Sequence, residues 1–436
     1  MIISPVNTSS PEGREKIAAI NDRFQTADSS CRETVAGIIR DVADRGDEAV
    51  LEYTRKFDCP DMTLAQLKVG REELDRAAGL LDPELAASIK LARDRIQSFH
   101  ERELEDSWFI TREDGVITGR LVRPVASAGL YVPGGRGGST PLISSVLMNG
   151  IPAGIAGVKK RIMVTPPDRE GRIHPALLAA AREIGISQIY KLGSAWAVGA
   201  LAFGTASIPR AEVIVGPGNQ FVAEAKQQVS GRVGIDMTAG PSEVLIVADH
   251  RAKPAFIAAD MLAQAEHDPQ ALAILLTTSR EVARETVREL EKQLEKLSRK
   301  EIARTSLAEK GAVLIAENLN EAIGLANDIA AEHLELMLED PWSYLPQIRN
   351  AGAIFLGDYC PEAFGDYMAG PNHVLPTMGT ARISSALGVE TFLKKSSLIS
   401  CSRAAFLKEV PHIKRLADQE GLTAHSRSAE IRKEHD

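Results

Sequence analysis

The sequence has few cysteines and no long apolar run, and both absences restrict its function. Four cysteines are scattered over 436 residues, without a CxxC pair or the spacing of a disulfide framework: Cys31, Cys59, Cys360 and Cys401. This usage indicates a reducing compartment, and we expect a cytoplasmic location. No stretch reaches the roughly 20 apolar residues of a membrane span, and the first residues lack the basic and then apolar pattern of a signal peptide. We therefore expect no membrane partner.

Excess positive charge and the common nucleotide-binding motifs are also lacking. The formal net charge is -8 at pH 7, which argues against nucleic acid as a partner. No GxGxxG and no Walker motif occurs, so any nucleotide site here is not a standard Rossmann fingerprint. The composition, 44% hydrophobic and 25% charged, is typical of a globular protein. The length is sufficient for two or more domains.

The hydrophobic pattern predicts an α/β fold with helices at both ends. In the first hundred residues apolar side chains recur at three- and four-residue spacing, as in amphipathic helices. One of these helices begins at Asp82-Pro83, a cap followed by a first-turn proline. After Leu121, short apolar runs alternate with helical stretches, which is typical of parallel sheets with crossover helices. We predict two α/β units, near 128–238 and 242–382, and only helices after about Ser384.

Glycine and proline are concentrated in three segments: YVPGGRGGSTP (131–141), VGPGNQF (215–221) and TAGPSE (238–243). Two of them follow an apolar run, where open α/β sheets bind ligands beyond the strand ends. Glycines there allow backbone N–H groups to approach a phosphate, and a following helix N-terminus favours negative charge. Glycine turns at strand ends are more often only turns, so this signal is weak by itself.

Histidines, carboxylates and one glutamine form four short polar groups in the second half of the chain. These are Gln264 with His267, Glu332 with His333, Asp366 with His373, and Glu420 with His425. Gln264 and His267 are three residues apart on a predicted helix and therefore on one face. The four groups contain the nitrogen and oxygen ligands that zinc prefers. No HExxH spacing joins them, so solvated surface pairs, helix caps and turn residues remain open explanations.

The motifs resemble those of the histidinol dehydrogenase family from about Gly129 to Arg427. The matching strings, in family order, include GLYVPGG, SSVLMNGIPAGIAGV, GPGNQFVAEAK, IDMTAGPSEVLIVAD, QAEHD, AEHL, GDYMAGPNHVLPT, SSALGVETFLKK and EGLTAH. The resemblance implies an α/β fold of two incomplete Rossmann-like domains with helical N- and C-terminal segments, assembled as an intertwined homodimer. It implies four parts: 1–24, an N-terminal helical segment; 25–127 plus 239–382, with zinc and substrate; 128–238, with NAD; and 383–436, a C-terminal helical dimerisation tail.

The resemblance also implies a reaction and a set of site residues. The reaction is the NAD-dependent oxidation of L-histidinol through L-histidinal to L-histidine, with one zinc ion per subunit. The implied zinc ligands are Gln264, His267 and Asp366, with His425 donated by the other subunit. The same four residues contact substrate, together with Ser242, His333, His373 and a donated Glu420. His333 is then the general base, and Glu332 activates the water that adds to the aldehyde.

Two departures from the family pattern fall on the cofactor side. Tyr131 and Asn219 match NAD contacts, whereas Trp196 in GSAWAVG stands where the family usually has glutamine. The first glycine segment is longer than usual and carries Arg136. A tryptophan could stack against nicotinamide or adenine, or narrow the cleft. Arg136 could bind a phosphate, which leaves NADP open as the cofactor.

Three other functions remain compatible with the sequence. A family paralogue would oxidise a different polar alcohol, such as a sulfonated diol. A zinc hydrolase would use Glu332 to activate water without a nicotinamide. A binding protein on the same fold would have no need of the metal ligands, yet all of them are present. The ligand set would also accept manganese or cobalt.

Overall fold

The computed structural model describes residues 2–23, 29–134, 140–238 and 240–434. The chain forms two compact units: Met1–Glu103 with Val125–Phe392, and Leu104–Pro124 with Leu393–Asp436. The strands are β1 (Pro5–Asn7), β2 (Trp108–Thr111), β3 (Ile117–Pro124), β4 (Ser127–Tyr131), β5 (Lys160–Thr165), β6 (Gln188–Lys191), β7 (Val213–Val215), β8 (Gly234–Ile235), β9 (Glu243–Ala248), β10 (Leu272–Thr277), β11 (Ala312–Ile315), β12 (His333–Met337), β13 (Ala353–Leu356) and β14 (Leu393–Ser400).

Most of the helices surround the parallel sheets of the first unit, and α15 and α16 belong to the second unit. They are α1 (Pro11–Asn21), α2 (Ser29–Arg45), α3 (Asp47–Phe57), α4 (Arg71–Gly79), α5 (Pro83–His100), α6 (Ile143–Ile155), α7 (Pro175–Glu183), α8 (Ser194–Phe203), α9 (Gln220–Val229), α10 (Pro254–Ala265), α11 (Arg280–Leu294), α12 (Lys300–Glu309), α13 (Leu319–Ile329), α14 (Glu362–Phe364), α15 (Arg403–Gln419) and α16 (Thr423–Glu434). Helix α5 begins as predicted, since the Asp82 side chain accepts a hydrogen bond from Leu85 N at 3.2 Å and Pro83 follows. Within the described residues, every helix is too short or too polar to cross a bilayer.

The first unit contains two parallel sheets, which confirms the predicted α/β class. One has the order β1-β11-β10-β9-β12-β13 and the other β6-β5-β4-β7-β8. Strands such as β9 (EVLIVA) and β10 (LAILLT) are buried along their whole length. A parallel sheet covered by helices on both faces requires such continuous apolar runs, which is why the sequence showed these strands clearly.

Each parallel sheet has one point at which the chain reverses its direction of travel across the sheet. In the five-stranded sheet the chain moves from β4 outward to β6 and then returns to β7 on the other side of β4. In the six-stranded sheet the corresponding point lies between β9 and β12. Open α/β sheets bind ligands at such switch points, beyond the carboxyl ends of the strands, because the connections diverge there and leave a crevice. The two pairs of strands, β4/β7 and β9/β12, are therefore the positions to search for a site.

The structure differs from the predicted secondary structure in two places. Strand β1 lies in a region predicted as helical and pairs with β11. Strand β14, in the tail predicted to be helical, pairs antiparallel with β3; most of its residues are exposed, so it lacks an apolar alternation that would reveal it. Residues 31–67 bury their apolar side chains in the core of the five-stranded sheet, and the predicted grouping of 25–127 with 239–382 stays a prediction.

The second unit consists of the antiparallel sheet β14-β3-β2 and the paired helices α15 and α16. Lys414 on α15 joins the two helices, since its ammonium lies 3.1 Å from Asp418 and 3.5 Å from Glu430. Several large apolar side chains of this unit are exposed: Trp108, Phe109, Ile110, Ile399 and Leu416. The predicted domain boundaries, which treat 383–436 as one tail, stay a prediction.

Candidate functional site

Glu332 and His333 lie at the amino end of β12, next to β9 and opposite to the strand ends at which open α/β sheets usually bind ligands. His333 is the first residue of the strand and pairs with Val244 of β9 and Ala353 of β13. Helix α13 ends at Ala330, whose φ of +51° reverses the chain into the strand. This left-handed conformation costs about 1–2 kcal/mol for a residue other than glycine. Both side chains are buried, His333 at 4% and Glu332 at 6% exposure.

The His333 imidazole is held in one tautomer by a backbone carbonyl. Its Nδ1 lies 3.0 Å from the Glu243 carbonyl oxygen, and because that oxygen can only accept, Nδ1 must carry the proton. Nε2 therefore carries the lone pair, and it is buried with no hydrogen-bond partner among the described residues. Burial, together with the nearby His267 and His373, lowers the pKa of His333 to about 3. The ring is neutral at neutral pH and can accept a proton at Nε2.

Glu332 is fixed by the adjacent strand. Its Oε2 accepts a hydrogen bond from Glu243 N at 2.9 Å. Burial raises the pKa of Glu332 well above its usual value, and the negative charges of Glu243 and Asp366 add to that effect. A carboxyl group with a raised pKa is suited to proton transfer near neutral pH.

Three side chains could hold a metal ion: His267, Glu362 and Asp366. Their ligand atoms all lie within 4.8 Å of one another. Asp366 lies in a single turn of π-helix, Gly365–Ala369, that follows α14; such turns are frequent at functional sites. The prediction that His267 lies on the same helix as Gln264 is wrong. Helix α10 ends at Ala265, and His267 N donates to Gln264 O at 3.2 Å in the turn beyond it.

Gln264 is fully buried beside this metal group. In the amide orientation that satisfies both of its polar atoms, the nitrogen lies 2.9 Å from Glu362 Oε2 and 3.2 Å from the Glu243 carbonyl oxygen and from His333 Nδ1. Because a protonated Nδ1 cannot accept, the amide donates to the carboxylate and the carbonyl. Glu362 Oε1 also lies 3.8 Å from His333 Nδ1. Gln264, the metal group and His333 therefore form one continuous cluster.

The cluster contains an excess of buried carboxyl groups. Glu332, Glu335, Glu362 and Asp366 have no lysine or arginine partner among the ion pairs of the described residues. Burial is the largest cause that raises the pKa of each of them, and that of Asp366 reaches about 6. Because buried carboxylates are costly without a positive charge, the donor set fits a divalent cation.

Ser242 and His373 lie on loops next to these strands. Ser242 precedes β9, and its carbonyl accepts a hydrogen bond from Leu272 N at 3.0 Å. The loop of His373 is tied to α6, because the Asn372 side chain donates to Met148 O at 2.7 Å. Burial lowers the pKa of His373 to about 4, and its buried Nε2 also has no partner among the described residues. Two orphaned imidazole nitrogens thus belong to this part of the first unit.

Glu420 and His425 belong to the second unit. Glu420 follows the last residue of α15, and His425 lies in the first turn of α16, where its N–H donates to Leu422 O at 3.0 Å. Both side chains are exposed. The expectation that they complete the site of another subunit stays a prediction.

Tyr131 and Asn219 lie at the carboxyl ends of β4 and β7, the second switch point. Tyr131 is the last residue of β4, and its hydroxyl accepts a hydrogen bond from Ser194 N at 3.0 Å. Asn219 caps α9, since its side-chain oxygen accepts from Phe221 N at 3.1 Å and Val222 N at 3.2 Å. Tyr131 is 4% exposed, and the expected role of both residues in binding the cofactor stays a prediction.

Trp196 lies inside the core of the five-stranded sheet. It is 4% exposed, and its indole stacks on Phe57 and Tyr53 with ring centroids 5.5 and 6.0 Å away. The indole Nε1 donates to Thr54 Oγ1 at 3.1 Å. This packing gives the ring a structural role and gives no support to stacking on a cofactor. Arg136, the other departure from the family pattern, lies outside the described residues.

Sequence reasoning missed Glu362. A signal was present, because Glu362 and Asp366 are four residues apart and would share a face of a helix. The segment CPEAFGDY contains a proline and a glycine, which suggested a turn instead.

Comparison with known proteins gives a consistent result. The family model described as histidinol dehydrogenase matches residues 21–433. Histidinol dehydrogenase of Desulfotalea psychrophila is 63% identical over 99% of this chain and 100% of its own length. That of Nitratidesulfovibrio vulgaris is 53% identical over 93% of each. The crystal structure of histidinol dehydrogenase from Elizabethkingia anophelis superposes with a TM-score of 0.92 at 38% identity, covering 99% of this chain and 98% of that one.

Proposed function

The chain belongs to the histidinol dehydrogenase family, and from this premise we propose that it oxidises L-histidinol through L-histidinal to L-histidine with zinc and NAD. Membership makes the protein an oxidoreductase of histidine biosynthesis. The finer elements of the proposal are the two successive two-electron oxidations, the cofactors and the roles of individual residues.

The state of His333 is the observation that carries the proposal. An alcohol must lose its hydroxyl proton as it is oxidised, and a neutral imidazole with an available lone pair can accept it. His333 has its proton on Nδ1, a buried and unpartnered Nε2, and the metal group next to it. In the first oxidation, Nε2 takes the substrate's hydroxyl proton. In the second, Glu332 takes a proton from the water that adds to the aldehyde.

The proposed zinc ligands are Gln264, His267 and Asp366 of one chain and a donated His425 of another, with one ion per subunit. The buried carboxyl groups without basic partners support a cation here. When bound, zinc orients the substrate and polarises it as a Lewis acid. Ser242 and His373 line the substrate pocket in this proposal, and a donated Glu420 completes it.

The proposed NAD site lies at the switch point between β4 and β7. Tyr131 and Asn219 contact the cofactor there, and Trp196 supports the wall from within the core. When bound, NAD would accept one hydride, so the two oxidations would use two NAD molecules in succession. The exposed Trp108, Phe109 and Ile399 of the second unit support a homodimer, because such apolar side chains commonly lie at subunit interfaces. We also propose a cytoplasmic location, and no disulfide forms among the described residues.

The test is a substrate comparison with the purified protein. NADH formation is measured with L-histidinol, with other polar alcohols including a sulfonated diol, and with NAD replaced by NADP. Ester and amide hydrolysis are measured in parallel without cofactor. The proposal predicts that L-histidinol with NAD has the highest kcat/KM. A higher value for another alcohol, or hydrolysis without cofactor, would overturn it.

A further inference from the structure

The peptide of Gly216, directly after β7, is held from both sides by a buried ion pair. Gly216 N donates to Asp236 Oδ2 at 2.8 Å, and Lys226 Nζ donates to Gly216 O at 3.0 Å. Lys226 and Asp236 also form a salt bridge with each other, and their side chains are 2% and 0% exposed. The second oxygen of Asp236 accepts from Met237 N at 2.7 Å. Both the N–H group and the carbonyl group of Gly216 therefore have a buried, charged partner.

The held peptide lies directly against the end of β4. Gly216 has a φ of +115°, and a Cβ atom at this position would lie 2.1 Å from the Tyr131 carbonyl oxygen. That same oxygen accepts a hydrogen bond from the buried Asn149 amide at 3.1 Å. Gly216 therefore packs against the last residue of β4, a strand that pairs with β7 up to Leu130 and Val215. Tyr131 ends β4, and Asn219 is the last residue of the GPGN turn that Gly216 begins.

A buried ion pair contributes little net stability, because desolvation of the two charges offsets their attraction. Its better-supported role is to select one conformation over alternatives. Here the selected conformation is that of the GPGN turn, residues 216–219, since one charge fixes its first N–H group and the other fixes its first carbonyl group. The Lys226–Asp236 pair thus holds this turn and has no part in the proposed chemical step.

We propose that Lys226 and Asp236 are positioning residues that hold the GPGN turn in the form that binds the dinucleotide. This inference rests on the proposed function, in which Tyr131 and Asn219 contact NAD. Loss of the pair lets the turn relax and separates the two contacts, which weakens cofactor binding. The proposed substrate and metal groups lie at the amino ends of β9 and β12 of the other sheet, so we expect their geometry to change little.

The test uses the double variant Lys226→Met/Asp236→Asn, which leaves no buried charge unpaired, and the single variant Asp236→Asn. Lys191→Met is the matched control. Lys191, at the end of the edge strand β6, is also buried, donates to the Gly171 carbonyl at 3.0 Å and pairs with Glu73 at 2.9 Å. Calorimetric titration gives the Kd for NAD, and steady-state kinetics give kcat and both KM values.

The double variant is expected to raise the Kd and KM for NAD roughly 10- to 100-fold, as displacement of a contact by about 1 Å does. Its metal content, its KM for L-histidinol and its kcat at saturating NAD should stay close to wild type. Lys191→Met should lower the unfolding temperature without changing the Kd for NAD. Equal NAD affinity in wild type and the double variant would overturn the inference, as would an equal loss in Lys191→Met. If the double variant does not fold, the Kd for NAD is measured for Asp236→Asn instead. An affinity equal to that of wild type, or a loss equal to that in Lys191→Met, would again overturn the inference. Failure of the wild-type chain to bind NAD would instead overturn the proposed function.

Discussion

The Nδ1 of His333 lies 3.0 Å from the carbonyl oxygen of Glu243, and this one contact leaves the other ring nitrogen with the lone pair that the proposed base needs. It joins the first residues of β12 and β9, two neighbouring strands whose register is fixed by backbone pairing. The tautomer is therefore set by the sheet. A base placed in this way needs no side-chain partner to hold its orientation.

Replacement of His333 should remove most of the activity and little of the substrate binding. His333→Asn keeps a donor for the Glu243 carbonyl but loses the acceptor at Nε2. We expect kcat for L-histidinol to fall about 10²- to 10⁴-fold, the usual contribution of a general base, with a small change in KM. His250→Asn, at an exposed position of the same unit, is the control for histidine replacement. A kcat within a few fold of wild type would show that His333 is not the base.

Glu332 should matter most for the second oxidation. Glu332→Gln retains an acceptor for Glu243 N but cannot take a proton from water. Turnover of L-histidinal should therefore fall about 10²- to 10⁴-fold, while the first oxidation of L-histidinol falls less. Single-turnover rates measured separately with the alcohol and the aldehyde test this. Equal losses in the two steps would contradict the assignment.

Glu362 should control metal affinity by orienting Gln264. Glu362→Ala removes the acceptor of the glutamine amide, and loss of such an outer contact typically costs 10–100-fold in metal affinity. Zinc affinity is measured by chelator competition, with Glu339→Gln, an exposed carboxylate, as the control. Unchanged zinc affinity in Glu362→Ala would remove Glu362 from the metal site.

Mixing of two inactive variants tests whether the site is shared between subunits. If His425 serves the other subunit, a heterodimer of His333→Asn and His425→Asn contains one site with both native residues. Random reassortment should then restore about a quarter of wild-type activity, because half of the dimers are mixed and each has one intact site. If both residues serve the site of their own chain, no mixture restores activity.

Asp58 should make the protein less stable as pH rises. Its buried Oδ2 has no partner among the described residues, and burial raises its pKa from 3.8 to about 7. Between pH 3.8 and 7 the folded state keeps a proton that the unfolded state loses. The free energy of unfolding therefore falls as pH rises through this range. Asp58→Asn should be more stable than wild type by about 4 kcal/mol at pH 8 and nearly equal at pH 4. Urea unfolding at both pH values measures this, and an equal difference at the two would contradict it.

The sequence predicted the fold best where burial is complete. Strands β9 and β10 show as unbroken apolar runs because both faces are covered. Strand β14 has largely exposed side chains, so its pairing with β3 depends on backbone hydrogen bonds that leave no apolar pattern. The packing of residues 31–67 on the five-stranded sheet could not be predicted from the sequence either. The pattern of an amphipathic helix shows that one face is buried, but it does not show which sheet covers that face.

The site was predicted in part for a related reason. The adjacent pair Glu332-His333 and the residues Gln264, His267 and Asp366 stood out as polar residues in recognisable strings. Glu362 did not, because its importance comes from contacts across the fold with Gln264 and His333. The same holds for Lys226 and Asp236, whose common target is the backbone of Gly216. Long-range contacts to a backbone group leave no pattern in the sequence.

The most direct test of the central claim is to count NADH formed per L-histidinol consumed by the purified protein, before and after metal chelation. One site that performs both oxidations predicts two NADH per L-histidinol, lost on chelation and restored by zinc. One NADH per substrate, or formation that persists without metal, would contradict the account.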